Sequence, residues 1–198
     1  MNTVLCQIVF PVFVSISFFA FSQRIISVEE AGAQIIGSGI ADDVTEVNDI
    51  NNFFGPFIGS WRAAHDNKEY LINIYRMRDT LPSINLLFDN IGFAYLIKDA
   101  TTGAILADSS NRTLGDAYGG YYDPDMGYYK LYMNTDCGES LSISLGFESQ
   151  LMMPPGVDRF DRLIFLSSKD PLFQEAGNGC QSYTHLIPLN EGLVFERL

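Results

Sequence analysis

The sequence predicts an all-β fold, either an up-and-down barrel or a sandwich of about eight or nine strands. Three observations carry this prediction. After Trp61 the chain breaks into short runs in which apolar residues alternate with polar or small ones, with turn-forming residues between them. No long segment repeats apolar residues at the spacing of an amphipathic helix. Trp61, the only tryptophan of the chain, closes a Gly-x-Trp motif at the start of these runs.

The clearest alternation lies in residues 141–147, where four apolar side chains occupy one strand face and serine or glycine the other. Residues 99–103 form a turn whose glycine, Gly103, tolerates positive φ, so that 104–107 can pair back as a hairpin. The strand candidates are 60–64, 69–77, 91–98, 104–107, 128–133, 141–147, 163–167, 182–187 and 193–198.

The first 22 residues contain no charged residue and end in small residues at Ala20 and Ser22, which fit a signal-peptidase site. Residues 1–22 are therefore predicted to be a signal peptide, with the mature chain starting at Gln23 in a secreted or periplasmic location. No basic residue precedes the apolar run, and the first one, Arg24, follows it. An uncleaved N-terminal anchor is for that reason the alternative.

The chain after the signal divides into two parts. Residues 23–52 are rich in acidic residues and keep no period of 2 or 3.6, so they are predicted to be an extended leader. Residues 53–198 carry the strand candidates and are predicted to form one barrel domain. All 24 acidic and 12 basic residues follow the signal, and the net charge of −12 argues against binding nucleic acid or, after signal cleavage, a membrane surface.

Several short motifs lie at matching places along the barrel segment: Asp49-Ile-Asn-Asn52, Phe57-Ile-Gly-Ser-Trp61, the strand at 69–76, Phe88-Asp89-Asn90-Ile91, and the final Pro188 to Phe195. Together they resemble an uncharacterised family of small secreted bacterial proteins, a domain of unknown function with lipocalin-like features. The resemblance covers residues 49–198 and implies a single antiparallel lipocalin-like β-barrel. It carries over no activity and no catalytic residue.

The resemblance also implies a structural role for three residues of the Gly-x-Trp end. In lipocalin-like barrels the tryptophan of this motif plugs the closed end and stacks on a cation from the last strand. Here Gly59 and Trp61 supply the motif, and Arg197 supplies the cation on the same strand face as Phe195. We therefore expect Trp61 to fill a core and to take no part in chemistry.

Cysteine and histidine usage gives few candidates for chemistry. Cys6 leaves with the signal peptide, so Cys137 and Cys180 are predicted to form a disulfide in an oxidising compartment. The competing interpretation, a thiol nucleophile, lacks a base, because His185 lies five residues after Cys180 and would face the other side of one strand.

The other histidine lies in His65-Asp66 with Glu69 nearby, and this group is interpreted as a polar hairpin turn in preference to a metal site. No Gly-x-Ser-x-Gly is present. The sequence thus predicts no catalytic residue, no metal, no cofactor and no enzyme activity.

The most unusual composition lies between Tyr118 and Tyr132, with six tyrosines in fifteen residues. One interpretation is a hairpin with cross-strand aromatic pairs around a Pro-Asp-Gly type turn. The functional interpretation is a platform that stacks a sugar or apolar ligand. Calcium at Asp123 and Asp125 is a weaker possibility, since too few oxygen ligands follow at fixed spacing. The candidate ligand-binding residues are Tyr118, Tyr121, Tyr122, Tyr128 and Tyr129.

Two functions follow from these observations. The first is non-catalytic binding of a small apolar or aromatic ligand inside a partly open barrel. The alternative is an envelope or surface interaction domain, whose barrel is filled and whose tyrosine-rich loop binds protein or glycan. No oligomeric state follows from the sequence.

Overall fold

The computed structural model describes residues 23–109, 117–134, 140–147, 161–169, 188 and 190–198. The described residues are mostly in strands, with one helix, which confirms the all-β class. The elements are β1 (Arg24–Ser27), α1 (Val28–Gly37), β2 (Val44–Asn48), β3 (Gly59–His65), β4 (Lys68–Leu81), β5 (Leu86–Asp99), β6 (Ile105–Asp108), β7 (Ala117–Asp123), β8 (Tyr128–Asn134), β9 (Ser140–Phe147), β10 (Arg162–Lys169) and β11 (Gly192–Arg197).

All the strands belong to one sheet. Eight of them form an antiparallel up-and-down arrangement in the order β5-β4-β3-β11-β10-β9-β8-β7, which we call the meander. β2 and then β1 extend the sheet from β5 in parallel, and β6 pairs antiparallel with the other half of β5. In the described residues, the outermost strands β1 and β7 do not pair with each other, so the sheet is not the closed barrel that the sequence predicted.

The open side of the meander lies between β5 and β7. β6 covers one half of β5 through residues 96–98, and β2 covers the other half at Leu87 and Phe88. The hydroxyl of Tyr129 on β8 donates a hydrogen bond to Oδ1 of Asn90 on β5 at 2.7 Å. The far end of the meander therefore curves back to β5 and meets it through side chains.

The sequence predicted an extended leader at residues 23–52. The structure corrects this prediction, because these residues contain β1, α1 and β2. Ser27 caps the helix: its Oγ accepts a hydrogen bond from the backbone N–H of Glu30 at 3.1 Å. The carboxylates of Glu29 and Glu30 lie in the first turn, where they oppose the positive end of the helix dipole. The Ser27 cap and the acidic first turn therefore both stabilise the start of the helix.

The core lies on the inner face of the meander. The alternation predicted for β9 is confirmed, since all four of its apolar side chains are buried. Residues 49–58, which we call the crossing segment, add Phe54 and Phe57 to this core. Phe57 packs against Phe147 of β9 with ring centroids 4.7 Å apart, and Phe54 packs edge-on against Tyr129 at 5.1 Å. The crossing segment therefore packs against the neighbouring strands β8 and β9.

Trp61 lies fully buried beneath the crossing segment. Its Nε1 donates a hydrogen bond to the carbonyl of Phe57 at 2.8 Å. The guanidinium of Arg197, which is paired with Trp61 across β3 and β11, lies 5.0 Å from the centroid of the Trp61 ring. Its Nη2 also donates to the carbonyls of Ile58, at 2.7 Å, and Pro56, at 3.2 Å.

Gly59 adopts φ of 133°, a conformation that side chains disfavour, at the junction of the crossing segment and β3. A Cβ at this position would also lie 3.7 Å from Nη2 of Arg197. The glycine of the motif thus lets the chain turn from the crossing segment into the strand that carries Trp61.

We expect Trp61→Ala to lower the free energy of unfolding by roughly 3 to 5 kcal/mol, because it leaves a cavity in the core. Arg197→Ala should lower it by about 1 to 2 kcal/mol, through loss of the cation–π contact and of stem packing. A double-mutant cycle measured by denaturant unfolding should show that the two losses are not additive, since both remove the same contact. Strictly additive losses would show that the two side chains do not interact energetically.

Candidate functional site

The space among the described residues of β4, β5, β10 and β11 on the inner face of the meander is small. Aromatic side chains from β4, β5, β10 and β11 meet there, and Phe165 lies 5.8 Å from Phe195 and 6.2 Å from Phe93 between ring centroids. The cavity among them measures about 20 Å³. A single water needs about 10 to 15 Å³ on the same measure. This part of the interior is filled by the protein's own side chains.

A larger cavity lies beneath α1, between the helix and the core residues Leu86 and Tyr129. It measures about 100 Å³ and is enclosed by α1, the residues that follow it, β2, the hairpin end of β4 and β5, and β7 and β8. We call it the α1 cavity. Its lining residues are mostly apolar: Val28, Ala31, Gly32, Ile35, Ile40, Val47, Leu81, Leu86, Phe88, Asp89, Gly120, Tyr121 and Tyr129.

The helix packs on the sheet through one face. Val28, Ala31 and Gly32 are buried, whereas Ile35 on the same side is 39% exposed. Gly32 lies so close to β7 that a Cβ there would overlap the backbone carbonyl of Tyr122. This close approach brings the middle of the helix against the strand, and the cavity lies beside this contact.

The mouth of the α1 cavity carries exposed apolar side chains. Ile35 and Leu81 both line the cavity, and their exposed fractions are 39% and 43%. Ile36 follows Ile35 on the helix, and Ile84, which is 59% exposed, lies in the same tight turn as Leu81. Exposed apolar groups around an apolar cavity are typical of a binding surface.

The polar groups of the α1 cavity belong to Asp89, Tyr121 and Tyr129. Burial, and to a lesser degree the charge of Asp49, raises the pKa of the Tyr129 phenol above its ordinary value. The phenol therefore stays protonated and donates to Asn90. The Nδ2 of Asn90 is buried and has no hydrogen-bond partner within the described ranges.

Beside the cavity, an ion network anchors the crossing segment to β4 and β5. Oδ2 of the buried Asp49 lies 2.8 Å from Nη1 of Arg76, and the Asp49 backbone N–H donates to Oδ2 of Asp89 at 2.9 Å. Arg78 contacts Glu46 at 3.0 Å and Asp89 at 3.7 Å. A second concavity of about 270 Å³ lies here, but its two guanidiniums are already paired with carboxylates.

The predicted tyrosine platform is divided among different surroundings. Tyr121 and Tyr129 line the α1 cavity. Tyr122 packs against Phe53 with centroids 4.8 Å apart, and the ring of Tyr128 covers Gly146 on β9. Tyr118 lies in β7, and its side chain is outside the described part of the structure. The four tyrosines whose side chains are described therefore do not form one exposed surface.

The turn between β7 and β8 is held by Asp123. Its carboxylate contacts Nζ of Lys130 at 2.8 Å and accepts a hydrogen bond from the backbone N–H of Met126 at 3.1 Å. The hydrogen bond from Lys130 is the largest influence that lowers the pKa of Asp123, and it also raises the pKa of Lys130. This carboxylate is thus engaged in an ion pair and a turn.

The polar side chains at the β3–β4 turn, His65, Asp66 and Glu69, do not converge on one point, because they contact different partners. Nε2 of His65 lies 3.3 Å from Asp66 and 3.3 Å from Glu191, while Glu69 pairs with Arg62 at 2.6 Å. In the described ranges no group of three or more His, Cys, Asp or Glu residues is arranged to hold a metal ion. Cys137, Cys180 and His185 lie outside the described residues.

A scan of protein-family models and searches of curated proteins and of solved structures find no match to this chain. Within the residues that the structure describes, no helix is long and apolar enough to cross a membrane.

Most of the α1 cavity was missed from the sequence. A signal for its helix was present: Ser27 and Glu30 have the spacing of a capping box, and Val28, Ala31 and Ile35 follow at helical intervals. The cavity itself has no local signal, because its walls come from parts of the chain that are distant in sequence.

The contact between α1 and β7 gives a matched pair of glycine variants. We expect Gly32→Ala to lower the free energy of unfolding by about 1 to 3 kcal/mol, because the new Cβ collides with strand backbone, which cannot move aside easily. Gly37 is the last residue of the helix, and an added Cβ there would have nothing within 4 Å. Gly37→Ala should therefore raise the free energy of unfolding by up to about 1 kcal/mol. Denaturant unfolding measures both, and equal effects would contradict the close packing of α1 on β7.

Proposed function

We propose that this protein binds a small apolar or aromatic ligand without converting it, and that the ligand occupies the α1 cavity. The observation that carries the proposal is the contrast between the two interior spaces. The cavity among the described residues of β4, β5, β10 and β11 measures about 20 Å³, whereas the apolar cavity beneath α1 measures about 100 Å³. An apolar protein cavity of about 150 Å³ stays dry and binds benzene. The α1 cavity has about two thirds of that volume, so it holds a short alkyl group or most of one ring, with the rest of the ligand at its mouth.

The rest of a longer ligand has a route out of the cavity. The mouth is bordered by the exposed side chains of Ile35 and Leu81, which offer apolar contact to a chain that extends beyond the enclosed part. The export signal predicted at residues 1–22 and the Gly-x-Trp motif support a secreted or periplasmic location and a lipocalin-like binding protein. In this proposal the binding site differs from the barrel interior that such proteins use.

A surface interaction domain is the second candidate, and the filled interior of the meander favours it. Its contact surface would be the apolar rim formed by Ile35, Ile36, Leu81 and Ile84, because Tyr121 and Tyr129 are committed to the α1 cavity. The two candidates differ in one property: a ligand-binding protein shows saturable uptake of a small apolar molecule in the cavity.

Toluene and two alanine variants test the proposal. We expect toluene to shift the amide resonances of α1, β2 and β7 saturably in an NMR titration. Ala31 lines the α1 cavity, so the longer side chain of Ala31→Leu would occupy part of the ligand's space. This variant should weaken toluene binding at least about tenfold. Ala63→Leu is the matched control: this buried residue lies two positions after Trp61 on β3, in the filled core.

The control should destabilise the fold by about 1 to 3 kcal/mol through overpacking and leave the toluene affinity unchanged. Loss of binding in Ala63→Leu alone would place the ligand within the meander. No saturable binding to the wild-type protein would refute the ligand-binding function and favour the surface interaction domain.

A further inference from the structure

We infer that the α1 cavity selects its ligand by charge: it takes a compact apolar group that carries a hydrogen-bond donor or a positive charge, and it rejects carboxylates. This inference rests on the proposed function, because it names the class of ligand for the same cavity. Three features carry it: the residue that supplies the charge at the cavity wall, the pairing of the nearby cations, and the net charge of the chain.

Among the described residues that line the α1 cavity, Asp89 is the one that carries a charge. Its side chain is mostly buried, with 27% exposed, and Oδ2 accepts a hydrogen bond from the backbone N–H of Asp49 at 2.9 Å. An ionised carboxylate only accepts hydrogen bonds. A ligand group that meets Asp89 therefore has to bring a donor, such as a hydroxyl or an ammonium.

The cation closest to Asp89 does not cancel its charge. Nη1 of Arg78 lies 3.7 Å from Oδ1 of Asp89, but Nη2 of the same guanidinium contacts Glu46 at 3.0 Å. One positive charge is thus shared by two carboxylates, and the group of three keeps a net charge of −1. Asp79, which is paired with Phe88 of the cavity wall across β4 and β5, adds a further negative charge nearby.

The other described cations near the cavity are also paired. Arg76 contacts Asp49 at 2.8 Å. On the opposite wall, Nζ of Lys130 lies 5.5 Å from the ring centroid of Tyr121, and it contacts Asp123 at 2.8 Å. A ligand carboxylate would therefore be repelled by Asp89, and the paired cations Arg76, Arg78 and Lys130 would not compensate for this repulsion.

A like charge within a few ångströms in a partly buried site is strongly unfavourable, whereas an opposite charge there is favourable. The net charge of −12 acts in the same direction, because it lowers the local concentration of anions around the protein. Neutral donors gain the hydrogen bond alone, and amines gain the hydrogen bond together with the charge attraction. Fatty acids and aromatic acids are excluded by the same residue.

Three molecules of nearly equal shape test the inference: benzylamine, benzyl alcohol and benzoate, titrated calorimetrically into the full chain at pH 7 with toluene as the uncharged reference. We expect benzylamine and benzyl alcohol to bind, and benzoate to bind at least about tenfold more weakly than benzylamine. Benzoate affinity equal to that of benzylamine, with toluene binding intact, would overturn the charge selection and leave the proposed function standing. Failure of all four molecules to bind would instead overturn the proposed function.

The variant Asp89→Asn tests whether the charge of this one side chain causes the selection. It removes the charge but keeps an amide oxygen that can accept the hydrogen bond from the Asp49 N–H. The ratio of benzylamine to benzoate affinity should fall to within about threefold in this variant. Asp66→Asn is the matched control: it removes the same charge from a side chain that is 75% exposed in the β3–β4 turn, so its ratio should stay that of the wild type.

An unchanged ratio in folded Asp89→Asn would overturn the role of Asp89. If that variant does not fold, the wild-type ratio decides on its own between charge selection and its absence.

Discussion

The burial of Trp61 beneath the crossing segment is the interaction on which the rest of this structure depends. The indole N–H satisfies a carbonyl of that segment, and Arg197 covers the ring while satisfying two more. Buried backbone carbonyls without partners are unfavourable, so an irregular segment crosses this end of the core only where such donors exist. One aromatic side chain and one cation thus fix β3, β11 and the crossing segment together.

A second set of polar contacts fixes the open side of the meander. The charge of the buried Asp49 is balanced by Arg76, and the Asp49 backbone donates to Asp89 on β5. The hydroxyl of Tyr129 reaches β5 at Asn90. The Asp49 side chain is buried, so removing its partner Arg76 would leave an uncompensated charge, which is strongly unfavourable. These contacts therefore determine where β5, β8 and the crossing segment meet, and they also place Asp89 at the wall of the α1 cavity.

The sequence predicted the features that depend on local periodicity. Alternation identified β9, and the Gly-x-Trp motif pointed to the end where Trp61 and Arg197 lie in contact. β4 and β5 are longer than predicted, because Arg78 and Asp89 interrupt the apolar pattern. Both residues form ion pairs in this part of the sheet. α1 was missed although Ser27 caps it, since a short acidic helix is stabilised by packing more than by its own pattern. The α1 cavity unites distant segments, and no pattern along the chain reports such a meeting.

The pairing of β3 with β11 also has a consequence for the order of folding. Arg197 and Ile58 are joined by a hydrogen bond although they are 139 positions apart. Contacts of such long sequence separation form late and slowly, because the entropy of closing the loop must be overcome before they contribute. Until β11 arrives, Trp61 and the aromatic side chains of the crossing segment have no cover on that side. A nascent chain would therefore leave these aromatic side chains uncovered on that side until β11 has been synthesised, and apolar surface exposed in this way promotes aggregation.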